Sequence, residues 1–217
     1  YQLAYGRDDH HGALVAMRRF VEIAPGSEFL YKAGQAAFRA DRPREAIEFL
    51  TQADPESGWL RGWDFYWDIL SRSYHMLGEH REELAVARRA RRLFPNFQSI
   101  EVRALAALGR TDAVQALIGE VPAQSEEQTI QAAHNAASEL FVHGHVDAAS
   151  QVLHRRIMLG QARLSTASTD TTSYQIGVGI WALADMLLLH GRVDEARVVL
   201  ERAVEEERAD GPNRGRE

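Results

Sequence analysis

Histidine is the residue type in this chain with the widest chemical reach. The nine histidines include three close pairs: His10 with His11, His143 with His145, and His75 with His80 across a turn. Imidazole nitrogens so spaced could ligate a metal. A catalytic zinc site, however, needs three converging His or carboxylate ligands, often on the helical spacing His-Glu-x-x-His. That motif is absent, and the pairs fall in predicted turns, where solvated imidazoles are ordinary. The sequence therefore assigns no metal ligands. The chain has no cysteine, which excludes thiolate nucleophiles, disulfides and Cys-ligated zinc. It contains neither a phosphate-cradling glycine loop with Lys nor a Gly-x-Ser-x-Gly elbow, and no Asp/Glu pair can be argued as acid and base. The expectation is a chain that is not an enzyme and uses no cofactor.

Charge narrows the partners. Arg88, Arg89, Arg91 and Arg92 form a basic run, but Glu82 and Glu83 lie a turn or two earlier. Glu-to-Arg pairs at that spacing predict a solvated helix face. A net charge of −6 argues against a phosphate-tracking surface, so nucleic acid is not an expected partner. The most apolar stretch, Ile176 to Leu189, is interrupted by Asp185 and falls short of the roughly 20 residues a bilayer crossing needs. No membrane partner is expected either, and a reducing, cytoplasmic location fits the lack of cysteine. The chain opens on Tyr1 with no basic-then-apolar leader, which predicts a piece of a longer polypeptide.

The elements that must position any site show best between residues 64 and 97. One unit there places Trp67, Leu70, Ser71, Tyr74, Leu77-Gly78, Leu84, Ala87, Ala90 and Pro95 at the spacing of two amphipathic helices joined by a glycine turn. This pattern resembles the tetratricopeptide repeat, a 34-residue helical hairpin. Such a hairpin cannot bury its apolar face alone and must stack on neighbours. Other copies follow by register. Leu30, Gly34, Ala37, Ala46, Leu50 and Ala53 precede it, with Asp41 read as a cap and Pro43 as a first-turn residue. Ala133, Ala136, Ala137, Leu140, Gly144, Ala149 and Leu153 form one later copy, and Ile180, Leu183, Ala184, Leu187, Gly191, Ala196 and Leu200 another. Residues 1–26 read as the end of one hairpin, and 98–122 as a shortened pair turned at Gly109. The recurring stops Leu77-Gly78-Glu79, Leu108-Gly109-Arg110, His143-Gly144-His145 and His190-Gly191-Arg192 mark glycine just past a helix end.

The expected fold is all-α: a right-handed α-solenoid of about five to six tetratricopeptide-like hairpins, some 11–12 helices. Its units are about 1–26, 27–60, 64–97, 98–122, 130–160 and 177–209, in one repeat domain over 1–209 with a flexible tail at 210–217. A polar stretch, 124–129, precedes the copy at 130–160, and the Ser/Thr-rich segment 161–173 reads as a loop between repeats.

The resemblance implies that first helices line a groove for extended or helical peptides. By register the groove residues are Tyr31, Lys32, Gln35, Phe38 and Arg39; Phe65, Asp68, Ile69, Arg72, His75 and Met76; His134, Asn135, Ser138 and Phe141; and Trp181, Asp185 and Leu188. The apolar members would serve equally to pack an adjoining helix. One branch of the family clamps a terminal carboxylate with Lys, Asn and Arg. Lys32, Arg39, Arg72 and Asn135 offer similar chemistry, but Asp68 stands where a cation or amide would help, so that clamp is not expected. Trp59, Trp63 and Trp67, with Phe65 and Tyr66, gather at one junction and are expected to pack there; the alternative is an exposed patch for a partner or a dimer contact.

The functional expectation is a noncatalytic scaffold for a protein or peptide, from a larger bacterial signalling or regulatory protein, with homodimerisation through exposed repeat faces as a further outcome. The alternative is a sensor whose groove closes on a ligand or peptide to control an attached output domain.

Overall fold

A computed structural model of the chain describes residues 8–119, 126–164 and 170–210. Among them the regular structure is helical throughout. The helices are α1 (His10–Ile23), α2 (Ser27–Arg39), α3 (Pro43–Gln52), α4 (Asp64–Met76), α5 (His80–Leu93), α6 (Gln98–Ala107), α7 (Thr111–Gly119), α8 (Glu126–Val142), α9 (Val146–Leu164), α10 (Asp170–Leu189) and α11 (Val193–Asp210). Short 3₁₀ turns at Gly58–Leu60 and Pro95–Phe97 sit between hairpins. Helices adjacent in sequence pack together over most of the chain, and the fold is all-α. Among the described residues no helix is long and apolar enough to cross a membrane.

The chain divides into two compact units, residues 1–104 and 105–217. In the first, α1 starts at Asp9, whose Oδ1 accepts the Gly12 amide hydrogen bond at 2.7 Å. α2 packs on both α1 and α3, and also touches α4. Gly34 permits the α2–α3 approach, because a Cβ there would lie 2.6 Å from Leu50 Cγ and 3.2 Å from the Ala46 carbonyl oxygen. The core continues through Leu30, Leu50, Leu60, Trp67, Leu70 and Phe97. Tyr66 is buried with its hydroxyl donating to the Leu50 carbonyl at 2.9 Å, so its polar end is satisfied inside the apolar layer. In the second unit α8 packs on α9, α9 on α10 and α10 on α11, around the fully buried Leu140, Leu153, Leu183 and Leu187.

Five hairpin turns stop their first helix in the same way. Arg42, Glu79, Arg110, His145 and Arg192 each donate a backbone N–H to the carbonyl five residues back, at 2.7 to 3.0 Å. This is the Schellman closure, and it needs a left-handed residue just before the donor. Gly78, Gly109, Gly144 and Gly191 fill that position with φ of 70°, 67°, 82° and 71°. In the α2–α3 hairpin Asp41 takes it instead, with φ 58°. Asp41 therefore does not cap α3 as read from sequence. Arg42 is the N-cap, without a side-chain cap bond, and Pro43 begins the helix.

Two segments are more helical than their composition suggests. α8 starts at Glu126, inside the polar stretch, and only 120–125 lie outside the described residues there. α9 runs through Gln161 to Leu164 and α10 begins at Asp170, which narrows the expected Ser/Thr loop to 165–169, outside the described residues. α10 packs between α9 and α11. Residues 211–217, read as a tail, also lie outside the described set.

Candidate functional site

In the first unit, α2 and α4 bring together most of the residues assigned to a groove. Tyr31 lies in the core, only 3% exposed, and its hydroxyl accepts from Trp63 Nε1 at 2.9 Å and from Gln35 Nε2 at 3.3 Å. Lys32 donates to Glu28 at 2.6 Å, one turn earlier, and that hydrogen bond holds the Glu28 carboxyl below the usual range. Arg72, on α4, lays its guanidinium over the Phe38 ring of α2 at 5.0 Å and reaches Asp68 at 3.6 Å. Arg39 is exposed and Ile69 is buried.

Beside this face a chain of rings stays in solvent. Tyr31 meets Trp59 edge-on at 5.5 Å, Trp59 meets Trp63 at 5.6 Å, and Trp63 meets Phe65 at 5.5 Å. Trp59, Trp63 and Phe65 are 42%, 39% and 53% exposed. Trp67 and Tyr66 fill the packing role read for the whole cluster: both are buried and meet edge-on, and Trp67 is covered by Arg89 at 5.1 Å. Trp59 lies within the turn at Gly58–Leu60, which tucks Leu60 into the core, and Gly62 with φ 89° follows before Trp63.

In the second unit, His134 and Asp185 are exposed, Asn135 and Ser138 are half-buried, and Trp181 is an exposed ring on α10. Phe141 is half-buried, with its ring 4.6 Å from that of His190.

His75, on the last turn of α4, has a partner the groove register does not foresee. It turns toward a buried carboxylate that sequence reasoning treated as a surface acid. Glu83, fully enclosed on the first turn of α5, takes hydrogen bonds at Oε2 from His75 Nδ1 at 2.9 Å and His80 Nδ1 at 3.1 Å. Its Oε1 is gripped by Arg103 of α6 through Nε at 2.8 Å and Nη2 at 2.7 Å. Arg103 Nη2 also donates to the buried Ser71 hydroxyl at 3.4 Å. Burial alone would raise the Glu83 carboxyl, but the His75 hydrogen bond, the Arg103 charge and the His80 hydrogen bond outweigh it and hold it below the ordinary range.

Among the described residues, His75, His80 and Glu83 are the one group of three whose ligand-type atoms lie within 4.8 Å of one another. Two signals in the sequence mark it. Glu83 occupies a repeat position usually filled by a small residue, and histidines stand three and eight residues before it.

The basic run of α5 is also spent differently from the expected intrahelical pairs. Arg88 and Arg91 converge on the two oxygens of the nearly buried Glu101, each at 3.0 Å, and Arg89 reaches Glu56 at 2.8 Å. Much of the basic charge on this helix is thus balanced by acids from elements before and after it.

No family model matches this chain, and no curated protein matches it either.

Proposed function

We propose that the chain is a noncatalytic, tetratricopeptide-like interaction module, a right-handed solenoid within a larger signalling or regulatory protein, that binds an extended or helical segment of a partner protein along its first helices. The observation that carries this reading is the ring chain Trp59, Trp63 and Phe65, left in solvent beside the first helices α2 and α4. Large aromatic rings contribute much of the binding energy where a partner covers them, and a soluble surface rarely leaves several contiguous without such use. The neighbouring ion pairs Lys32–Glu28 and Arg72–Asp68 supply polar groups of both signs that orient a peptide without dominating its affinity.

Panning displayed peptides against the immobilised chain, then calorimetry on the synthetic winners, tests the proposal. Trp59→Ala and Phe65→Ala should each weaken the selected peptides by about tenfold or more, with helix content and thermal midpoint unchanged. Peptides that bind both variants as tightly as the parent chain would place the binding site elsewhere.

A further inference from the structure

We propose that His75, His80 and Glu83 form a binding site for a divalent first-row transition metal, zinc or cobalt by preference. The ligands come from one turn and its two flanking helices. His75 is in the last turn of α4, and His80 and Glu83 stand one helical turn apart at the start of α5. The Schellman closure at Gly78 folds these helix ends against each other, so the site is set by backbone geometry that the hairpin already requires.

The ligand atoms are arranged as a metal would need them. Both histidines present Nδ1 to the same carboxylate oxygen, at 2.9 and 3.1 Å. Neighbouring ligands around a tetrahedral zinc at about 2.0–2.1 Å stand about 3.3 Å apart, so the two nitrogen–oxygen separations need to open by only a few tenths of an ångström, and the two nitrogens already lie within 4.8 Å of each other. Arg103 occupies Oε1 through two nitrogens and leaves Oε2 as the ligating oxygen. Such an outer partner fixes the orientation of a ligating carboxylate. Two imidazoles and one carboxylate suit zinc or cobalt and not the hard, all-oxygen preference of calcium or magnesium.

The ring that binds the ion carries its proton on Nε2, which leaves the Nδ1 lone pair as the ligand. His75 and His80 keep 25% and 14% of their side-chain surface in solvent, which gives the ion a way in and leaves its fourth position to water. Arg103 already balances the Glu83 charge, so the bound ion adds positive charge to the site. That makes the affinity weaker than a structural zinc finger's.

Cobalt titration of the untagged chain is the direct test. One equivalent of Co²⁺ should give the intense visible bands of a four-coordinate ion, and zinc should displace it. His75→Gln and His80→Gln keep an amide able to donate to Glu83 and should abolish the bands, whereas His143→Gln should leave them intact. Long-range ¹H–¹⁵N spectra of the parent chain provide a readout independent of any variant: one equivalent of Zn²⁺ should shift the Nδ1 resonances of His75 and His80. Absence of a stoichiometric cobalt spectrum, bands that survive His75→Gln, or zinc-induced shifts at other histidines alone would each overturn the assignment.

Discussion

Arg103 enters the turn between α4 and α5 and grips Glu83 through Nε and Nη2, at 2.8 and 2.7 Å, so a cation from α6 neutralises a carboxylate with no solvent contact. Removing one partner of such a pair strands the other. Arg103→Met should cost about 3 kcal/mol of unfolding free energy, because Glu83 would retain only its histidine donors. Replacing both residues, with Glu83→Ala beside Arg103→Met, should cost clearly less than the sum of the single changes, a coupling above about 1 kcal/mol. Urea unfolding of the three variants checks this, and simple additivity would show that the pair is not energetically linked.

A second ion pair joins α1 to α3. Arg18 donates to both oxygens of Glu45, at 2.6 and 2.7 Å. The Arg18 hydrogen bond is the main cause that holds the Glu45 carboxyl below its usual range, against burial, with the Arg18 and Arg42 charges adding to it. A folded-state value below the unfolded one means the stabilisation is present above the unfolded value of about 4.3 and is lost as pH falls through the folded value. Part of Arg18 is in solvent, so the contribution is under about 1 kcal/mol. Between pH 6 and pH 3 the parent chain should lose more stability than Arg18→Met does, measured by denaturant midpoints. Equal pH profiles would remove the pair from the acid response.

Asp41 is the one left-handed residue without glycine's freedom among the five matching turns. Its side chain is exposed. Asp41→Gly should therefore raise stability by about 0.5–1 kcal/mol, the relief of left-handed strain less the added freedom of the unfolded chain. A higher thermal midpoint is the expected result, and a lower one would mean that the aspartate side chain supports the turn.

Arg72 lies half in solvent over Phe38. Arg72→Ala should change stability by less than about 1 kcal/mol yet weaken any peptide selected on the α2–α4 face. A large loss of stability would assign Arg72 to packing alone.

The helices were legible because their signals are local. Apolar spacing along Trp67, Leu70 and Tyr74, and glycine after Leu77, are properties of neighbouring residues, and the same closures appear where the sequence repeats them. The Glu83 node was not legible in that way. On the helix surface pattern Glu83 pairs with the arginines that follow it, whereas its real cation is Arg103, twenty residues later on another helix. Likewise Arg88 and Arg91 find Glu101 only once α5 and α6 are folded. Ring exposure failed for a related reason. Trp59 and Trp67 are the same residue type within one segment, and only the turn at Gly58–Leu60 decides which is turned out to water.

The shared turn closure also bears on how the chain acquires its shape during synthesis. Each closure joins atoms five residues apart, and each hairpin connection is only a few residues long. Closing so short a loop takes well under a microsecond, with little entropy lost to ring formation. A ribosome adds roughly 5–20 residues per second, so every hairpin has time to close as soon as it clears the exit tunnel. Closure of the turns is therefore never what limits the nascent chain; burial of each hairpin's apolar face has to wait for the neighbour it stacks on.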